Sequence, residues 1–418
     1  MSAYNNILII GKVWPEPKSS AAGTRMMQLI QFFKGQNARI TFASTANPSD
    51  FQVDLEELNI NMVSITLNSD TFDIFIKELN PTMVVFDRFM TEEQFGWRVM
   101  EQCPDALRVL NTEDMHFLRD ARGQALKEGR TIDINHQTDL QTDKTFREIS
   151  AIYRSDIALL VSEVEMEMLK QTFQVPEHLL YYLPVFAQER PPDIPSFEVR
   201  KDFLFIGNFL HEPNWDGVRY LKQEIWPLIR KGLPGAVITV YGAYSSQKVF
   251  DLHNTKEGFL VHGRADNAME VTMDARVSLA PIRFGAGIKG KLIEAMVCGT
   301  PSITTTMGAE SMQHNNLWNG CITDDPEEFA QAAIELYSDA NKWKQAQDDG
   351  FEIIENRYLA KSHLPQFGAK LKEVYENLNA HRAINFTSKL MQHQTLMSAR
   401  YLSKWIMEKE KIGSTYNK

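Results

Sequence analysis

Two rhythms of apolar and polar positions alternate along the chain. Short apolar, β-branched runs at residues 7–10, 39–43, 83–87, 107–111 and 157–161 predict strands. Between them lie stretches with apolar residues at helical spacing, such as 23–34 and 163–173. Runs that are apolar at every position leave no face for water, so they predict a mostly parallel sheet covered by helices on both sides. The rhythm stops at 187–201, AQERPPDIPSFEVRK, where three prolines and many charges predict a linker. It then resumes, with strands predicted at 203–207, 236–241, 258–261, 277–281 and 302–305. Helices fit 214–230, 289–297, 326–338 and a long run beyond Lys342. The predicted fold is α/β, with two Rossmann-like α/β/α domains facing a cleft and C-terminal helices packing back. Its boundaries are 1–187 for the N-terminal domain, 188–201 for the linker, 202–365 for the C-terminal domain and 366–418 for a helical tail. Open sheets of this kind bind ligands at the carboxyl ends of their strands, which places the site in the cleft.

Composition narrows the function. With 44 basic and 54 acidic side chains the net charge is −10, which argues against a global grip on nucleic acid. Cys103, Cys298 and Cys321 lie far apart; they exclude a disulfide framework and a zinc ribbon and fit a reducing compartment. The N-terminus has no signal-peptide pattern. No window reaches the roughly 18–20 apolar residues of a membrane span, so a cytoplasmic protein is expected. Residues 381–418 carry seven Lys/Arg against two Glu, and Met397, Tyr401 and Trp405 recur every four residues beside Leu402 and Ile406. The first reading is a terminal helix docking that stripe on the body. Behind it stands a basic amphipathic helix making peripheral contact with an anionic membrane.

The most informative stretch is VSLAPIRFGAGIKGKLIEAMVCGTP, residues 277–301. A strand runs into Gly285, Gly287 and Gly290, then a short helix. Glycines at such a turn let backbone approach a ligand closely, and the helix N-terminus offers free N–H groups to a phosphate. Lys289 and Lys291 add positive charge there, Arg283 stands at the strand end, and Glu294 follows one turn later, placed to accept ribose hydroxyls. Taken literally, GAGIKG is also G-x-G-x-x-G, with Glu310 about twenty residues on, the pattern of an NAD(P)-dependent oxidoreductase. Against that, the match falls two-thirds of the way along, and the first strand of the chain lacks it. A third reading gives the glycines no task beyond a tight turn. There is no G-x-S-x-G, no H-E-x-x-H and no compact Cys/His cluster, so neither a serine triad nor a metal site is predicted.

RFGAGIKGKLIEAMVCGTPSITTTMGAE resembles the donor segment of GT-B glycosyltransferases of the group-1 retaining type. FLFIGNFLHEPNWDGVRYLKQEIWPLIRKGLPGAVITVYG resembles the opening of their C-terminal domain, and SDIALLVSEVEMEMLK the close of their N-terminal one. NTEDMHFLR and PEPKSSAAGTRMMQLI are similar to two of their N-domain loops. The resemblance implies transfer of a sugar from a nucleoside diphosphate sugar to a carbohydrate or lipid-linked acceptor, with no metal and no further cofactor. Polysaccharide or glycoconjugate synthesis is the implied setting.

The resemblance also assigns roles. Arg283, Lys289, Lys291 and the Gly285–Gly287 amides would meet the departing diphosphate, with Gly207 at the first loop of the donor domain. Glu294 matches the family's second glutamate, on the ribose; where the first would stand, this chain has Ala286. His116, in a polar loop with Glu113 and Asp114, would hydrogen-bond a sugar hydroxyl or the leaving phosphate. Glu310 is a weaker donor contact. Gly23 would open the first helix so that the N-domain meets diphosphate or acceptor, with Arg25 as an acceptor-side anion contact. A non-catalytic sugar-nucleotide-binding protein remains the alternative from another class.

Overall fold

The computed structural model describes residues 4–136, 138–393, 398, 401–403 and 405–406. Seven parallel strands form the first sheet: β1 (Asn6–Gly11), β2 (Arg39–Ser44), β3 (Asn61–Ser64), β4 (Met83–Asp87), β5 (Leu107–Asn111), β6 (Ile157–Leu160) and β7 (Leu180–Tyr182), in the order β3-β2-β1-β4-β5-β6-β7. Six more form the second: β8 (Lys201–Ile206), β9 (Ile238–Tyr241), β10 (Phe259–Gly263), β11 (Ala275–Ala280), β12 (Ser302–Thr304) and β13 (Gly320–Ile322), in the order β10-β9-β8-β11-β12-β13.

The unbroken apolar runs are explained by burial on two faces. In β1, Leu8 and Ile10 enter one core with Val84 and Phe86 of β4, while Ile7 and Ile9 enter the opposite core with Met83 and Val85. Alternate side chains leave opposite faces of a strand, so a sheet covered by helices on both sides requires apolar residues at every position. The second sheet repeats the plan, with Phe203 and Phe205 packed among Trp226, Ile229 and Val240.

Three short strands escaped the pattern: β3, β7 and β13. All are at sheet edges, and none is buried throughout. The segment expected as one helix over 214–230 is helical from Glu212 to Gly232 but widens into a π turn at Leu221–Ile225. Pro227 has no N–H to give the carbonyl four residues back, which accounts for the irregularity.

The chain ends by crossing back. Helix Ala340–Arg357 still belongs to the second domain, burying Trp343 and Ile353 there. Helix Ala360–Glu376 instead places Phe367, Leu371 and Val374 in the first domain's core, with Phe367 4.9 Å from the ring of Phe32. Arg382 then anchors to the buried Asp156 by two hydrogen bonds of 2.7 Å. Further on, the expected docking of the tail's apolar stripe is not found. Tyr401, Leu402, Trp405 and Ile406 are exposed, and Met397 lies outside the described residues. No described helix is long and apolar enough to cross a membrane.

Candidate functional site

In each sheet the strand order reverses once, between β1 and β4 and between β8 and β11. The loops leaving those four strands face each other across a cavity of about 990 Å³ lined from both domains. That is the size and position expected for a ligand site in doubly wound sheets.

The second domain's wall is the glycine-rich turn. After β11 the chain reverses through 281–289 and starts helix Gly290–Val297. Gly287 has φ +63°, and a Cβ there would stand 2.9 Å from the Asp114 Cβ, so this turn both needs the left-handed region and admits the other domain. Lys289 stands at the helix's N-cap, its Nζ donating to the Gly287 carbonyl at 3.1 Å. Lys291 Nζ donates to Asn214 Oδ1 at 2.7 Å and sits 4.8 Å above the Phe205 ring, beside the spot where Gly207 lacks a side chain. Glu294 lines the same cavity, and its carboxyl group makes no hydrogen bond or ion pair with any described residue. Burial lowers Lys289 to about 8 and Lys291 to about 7, and raises Glu294 to about 7. Glu310, Glu165 and Asp114 offset the burial of Lys289 only in part, while among the described residues no opposite charge offsets that of Lys291 or Glu294.

The first domain's wall is built on helix His116–Lys127. Its first amides, those of His116 and Phe117, donate to the two oxygens of Glu148 at 3.0 and 2.9 Å, so a carboxylate from a neighbouring helix caps this N-terminus. His116 is buried, 3.4 Å from Asp114 Oδ1, and burial lowers its imidazole to about 4. It is therefore a neutral hydrogen-bonding group at pH 7. Asp114 is held well below the usual carboxylate range: burial opposes this, but the Arg119 guanidinium bonded to it prevails.

His116, Gly207, Gly285, Ala286, Gly287, Lys289, Lys291 and Glu294 thus all line one cavity. Four expected residues do not. Arg283 is turned away and committed to Asp216, with Nε donating to Oδ2 at 2.8 Å, and stacks on Tyr220. Glu310 is an interdomain clasp: Arg122 of the first domain donates to its two oxygens at 2.8 and 2.7 Å and to the Gly285 carbonyl at 2.9 Å. Gly23 serves packing, since a Cβ there would meet the backbone of Glu16 at 2.4 Å. Arg25 is fully buried, donating to the Pro184 carbonyl at 2.5 Å, and has no access to an acceptor. One amide is also spoken for: Gly287 N donates to Glu165 Oε1 of the first domain at 2.7 Å, so it is not free for phosphate.

Other wall residues went unread. His211, just past β8, lines the cavity, and burial lowers it to about 4. Arg88 follows β4 directly, and Glu113 lies two residues past the end of β5. Their signal was position, a charged residue at the carboxyl end of a predicted strand, rather than any motif.

Residues 200–339 match the family model described as glycosyl transferases group 1. A curated relative, an uncharacterized 44.6 kDa protein in the cps region of Klebsiella pneumoniae, is 22% identical over 214 residues, 49% of this chain and 53% of that protein. The chain therefore spans about half the length of the curated relative it matches. Among solved structures, the pneumococcal O-GlcNAc transferase GtfA in complex with UDP and GlcNAc is similar with a TM-score of 0.67 at 12% identity, over 89% of this chain and 99% of that one. A mutant of S. aureus TarM in complex with fondaparinux, alpha-GlcNAc-glycerol and UDP is similar with a TM-score of 0.55 at 14% identity, over 72% of this chain and 58% of that one. These likenesses establish the arrangement of the two facing α/β domains as GT-B.

Proposed function

From a chain whose residues 200–339 form a group 1 glycosyltransferase domain within a GT-B fold, we propose that the protein moves a sugar from a nucleoside diphosphate sugar to an acceptor hydroxyl. The observation that carries this reading is the pairing of Lys291 and Glu294, three residues apart on one helix, in the same cavity. Among the described residues, one is a cation with no anion and the other a carboxylate with no donor. A diphosphate joined to a ribose supplies both missing partners at about that spacing.

As the bond between the sugar's anomeric carbon and the diphosphate breaks, its electron pair leaves with the phosphate oxygen, while the acceptor oxygen forms the new bond to that carbon and its proton passes to the departing phosphate. Lys289, Lys291 and the free amides opening helix Gly290–Val297 stabilise that charge, held in place before the reaction. Neutral His116 hydrogen-bonds a sugar hydroxyl or the leaving phosphate. Backbone around Ala286 takes the place of the carboxylate contact to the donor sugar. Retention of configuration, independence of a divalent metal and a carbohydrate or lipid-linked acceptor belong to the same reading. A polysaccharide setting is supported by the cps-region relative. Contact of the tail with an anionic membrane surface is supported by the exposure of Tyr401, Leu402, Trp405 and Ile406.

Thermal unfolding against nucleoside diphosphates, their sugars and NAD(P) tests the assignment. A ligand at about 100 times its dissociation constant stabilises the fold by roughly 2.7 kcal/mol. One diphosphate series should do so, and Glu294→Ala should lose most of the shift. Stabilisation by NAD(P) alone would replace this reading with a dehydrogenase. Nucleotide binding without donor hydrolysis or transfer would leave a binding protein.

A further inference from the structure

The wall opposite the donor turn holds two charged residues in unusual backbone. Arg88, directly after β4, has φ +69° and ψ 157°, a region that residues other than glycine scarcely enter. Glu113, just beyond β5, has φ +60°. The two are tied through adjacent strand ends, the Arg88 amide donating to the Asn111 carbonyl at 2.8 Å. Strain of this kind persists where the surrounding structure imposes it, and it clusters at functional sites.

The side chains share the cavity. Arg88 lines it, yet its guanidinium makes no hydrogen bond or ion pair with any described residue, although Asp87, Glu113 and Asp114 all lie near enough to act on its charge. Glu113 is 9% exposed and also lines the cavity. Asn111 Nδ2 donates to its Oε1 at 2.7 Å and fixes the carboxyl, leaving Oε2 without a described partner. A planar five-donor group left open matches a carboxylate or a phosphate, and a fixed carboxyl oxygen matches a hydroxyl.

Resting on the transferase reading, we propose that Arg88 and Glu113 form the acceptor subsite and select an anionic acceptor. Arg88 takes a carboxylate or phosphate carried by the acceptor, and Glu113 Oε2 accepts a hydrogen bond from one of its hydroxyls. Lys18, exposed on the same rim, adds positive charge at the entrance. The donor's diphosphate is served by the facing wall, which leaves these two groups to the second substrate.

The test starts from protein saturated with the nucleoside diphosphate it binds. Three probes are titrated: methyl glucuronoside for a carboxylate, glucose 6-phosphate for a phosphate, and neutral methyl glucoside. At least one charged probe should bind more tightly than the neutral one, and which of them does so identifies the source of the charge. Arg88→Gly and Arg88→Met should weaken it roughly tenfold or more, and Arg88→Lys less. Glu113→Gln should weaken all sugars that bind. Arg88→Gly carries a second readout. Glycine relieves the backbone, so its unfolding temperature should match or exceed the parent's, whereas a residue kept for structure would lower it. Nucleotide affinity should stay within about twofold. Equal binding of all three probes, no binding of any, or charged-probe binding untouched in Arg88→Gly overturns the acceptor assignment. A loss of nucleotide affinity in Arg88→Gly reassigns Arg88 to the donor and overturns it too. Failure of the parent protein to bind any nucleoside diphosphate is a different result, which removes the transferase reading beneath it.

Discussion

The two walls of the cleft achieve a charged surface by opposite means. On the second domain's wall, charge is underpaired: Lys291 and Glu294 are desolvated and away from their ordinary ionisation, waiting for a ligand. On the first domain's wall Asp114 is already satisfied by Arg119, and behind it Glu148 accepts two backbone amides, though burial still raises it to about 8. Among the described residues of that wall, the Arg88 guanidinium and one oxygen of Glu113 are left open, and burial raises Glu113 to about 7. The first kind of wall suits a ligand part that never changes, a diphosphate on a ribose. The second suits a ligand read by a few individually placed groups.

The largest test of that contrast is to remove a group from each wall. Lys289→Met should lower kcat by about 10²–10³-fold, the usual loss when one preplaced group facing developing negative charge is deleted. Nucleotide affinity should fall with it, because the same cation meets the ground-state diphosphate. His116→Ala should spare nucleotide affinity within about twofold and lower kcat roughly 10–100-fold, since a neutral imidazole offers a hydrogen bond and no net charge. Steady-state kinetics with a nucleotide-binding titration on each variant would check both. Equal nucleotide losses from the two walls would break the contrast.

A smaller effect lies in the pH dependence of nucleotide binding. Lys291 has its free-state pKa lowered to about 7 by burial, and a bound diphosphate raises it. Below pH 7 the lysine is already charged. Above it, binding must take up a proton, so affinity falls as pH rises, by up to about tenfold per unit. Lys289, lowered to about 8, steepens that limb from there upward. Glu294 works in the other direction. Raised to about 7, it is increasingly protonated as pH falls below that value and accepts ribose hydroxyls less well. Affinity measured by calorimetry from pH 5.5 to 9 should therefore peak near 7. Lys291→Met should flatten the alkaline limb and Glu294→Gln the acid one. A profile unchanged by both would mean that neither group meets the nucleotide.

The same contrast explains what could be read from the sequence. Strands buried on both faces announce themselves, so β1, β4, β5, β6, β8 and β11, the sheet centres that carry the site, were all legible. The edge strands β3, β7 and β13 are only three or four residues long and only partly buried, and periodicity does not mark them. In the donor turn, backbone makes the site, and backbone needs leave glycines at fixed spacing; that spacing pointed to Gly285, Lys289, Lys291 and Glu294, and the family resemblance to Gly207, all of which line the cavity. Arg283 and Glu310 carry the right charge in the right stretch, but their partners Asp216 and Arg122 are 67 and 188 residues distant, and no local pattern reveals such pairs. Arg25 failed for a related reason: a helical arginine beside a polar loop looks exposed until the segment around Pro184 covers it. Arg88 and Glu113 were missed because the first wall is made by strand ends meeting in space. The sequence records them only as single charged residues after apolar runs.

The smallest expected effect is the one that separates position in a motif from position in the site. Arg283 lies two residues before Gly285, in the segment most like a donor site, and by charge alone it should matter as much as Lys289. In the structure its guanidinium is occupied by Asp216 and stacked on Tyr220, outside the cavity. Arg283→Met should therefore change kcat and nucleotide affinity by less than about twofold. Its cost should appear in stability instead. The pair is partly exposed, with 30% of the Arg283 side chain open to water, so the loss should be about 1 kcal/mol by denaturant titration. Most of that arises because Asp216, only 10% exposed, keeps a single weaker partner in Arg219 at 3.3 Å. The double substitution Arg283→Met with Asp216→Asn should recover part of it, since the stranded carboxylate is then gone. A tenfold fall in kcat for Arg283→Met at unchanged stability would instead show that the arginine swings into the cleft during turnover, and the second wall would gain a cation that the resting structure keeps elsewhere.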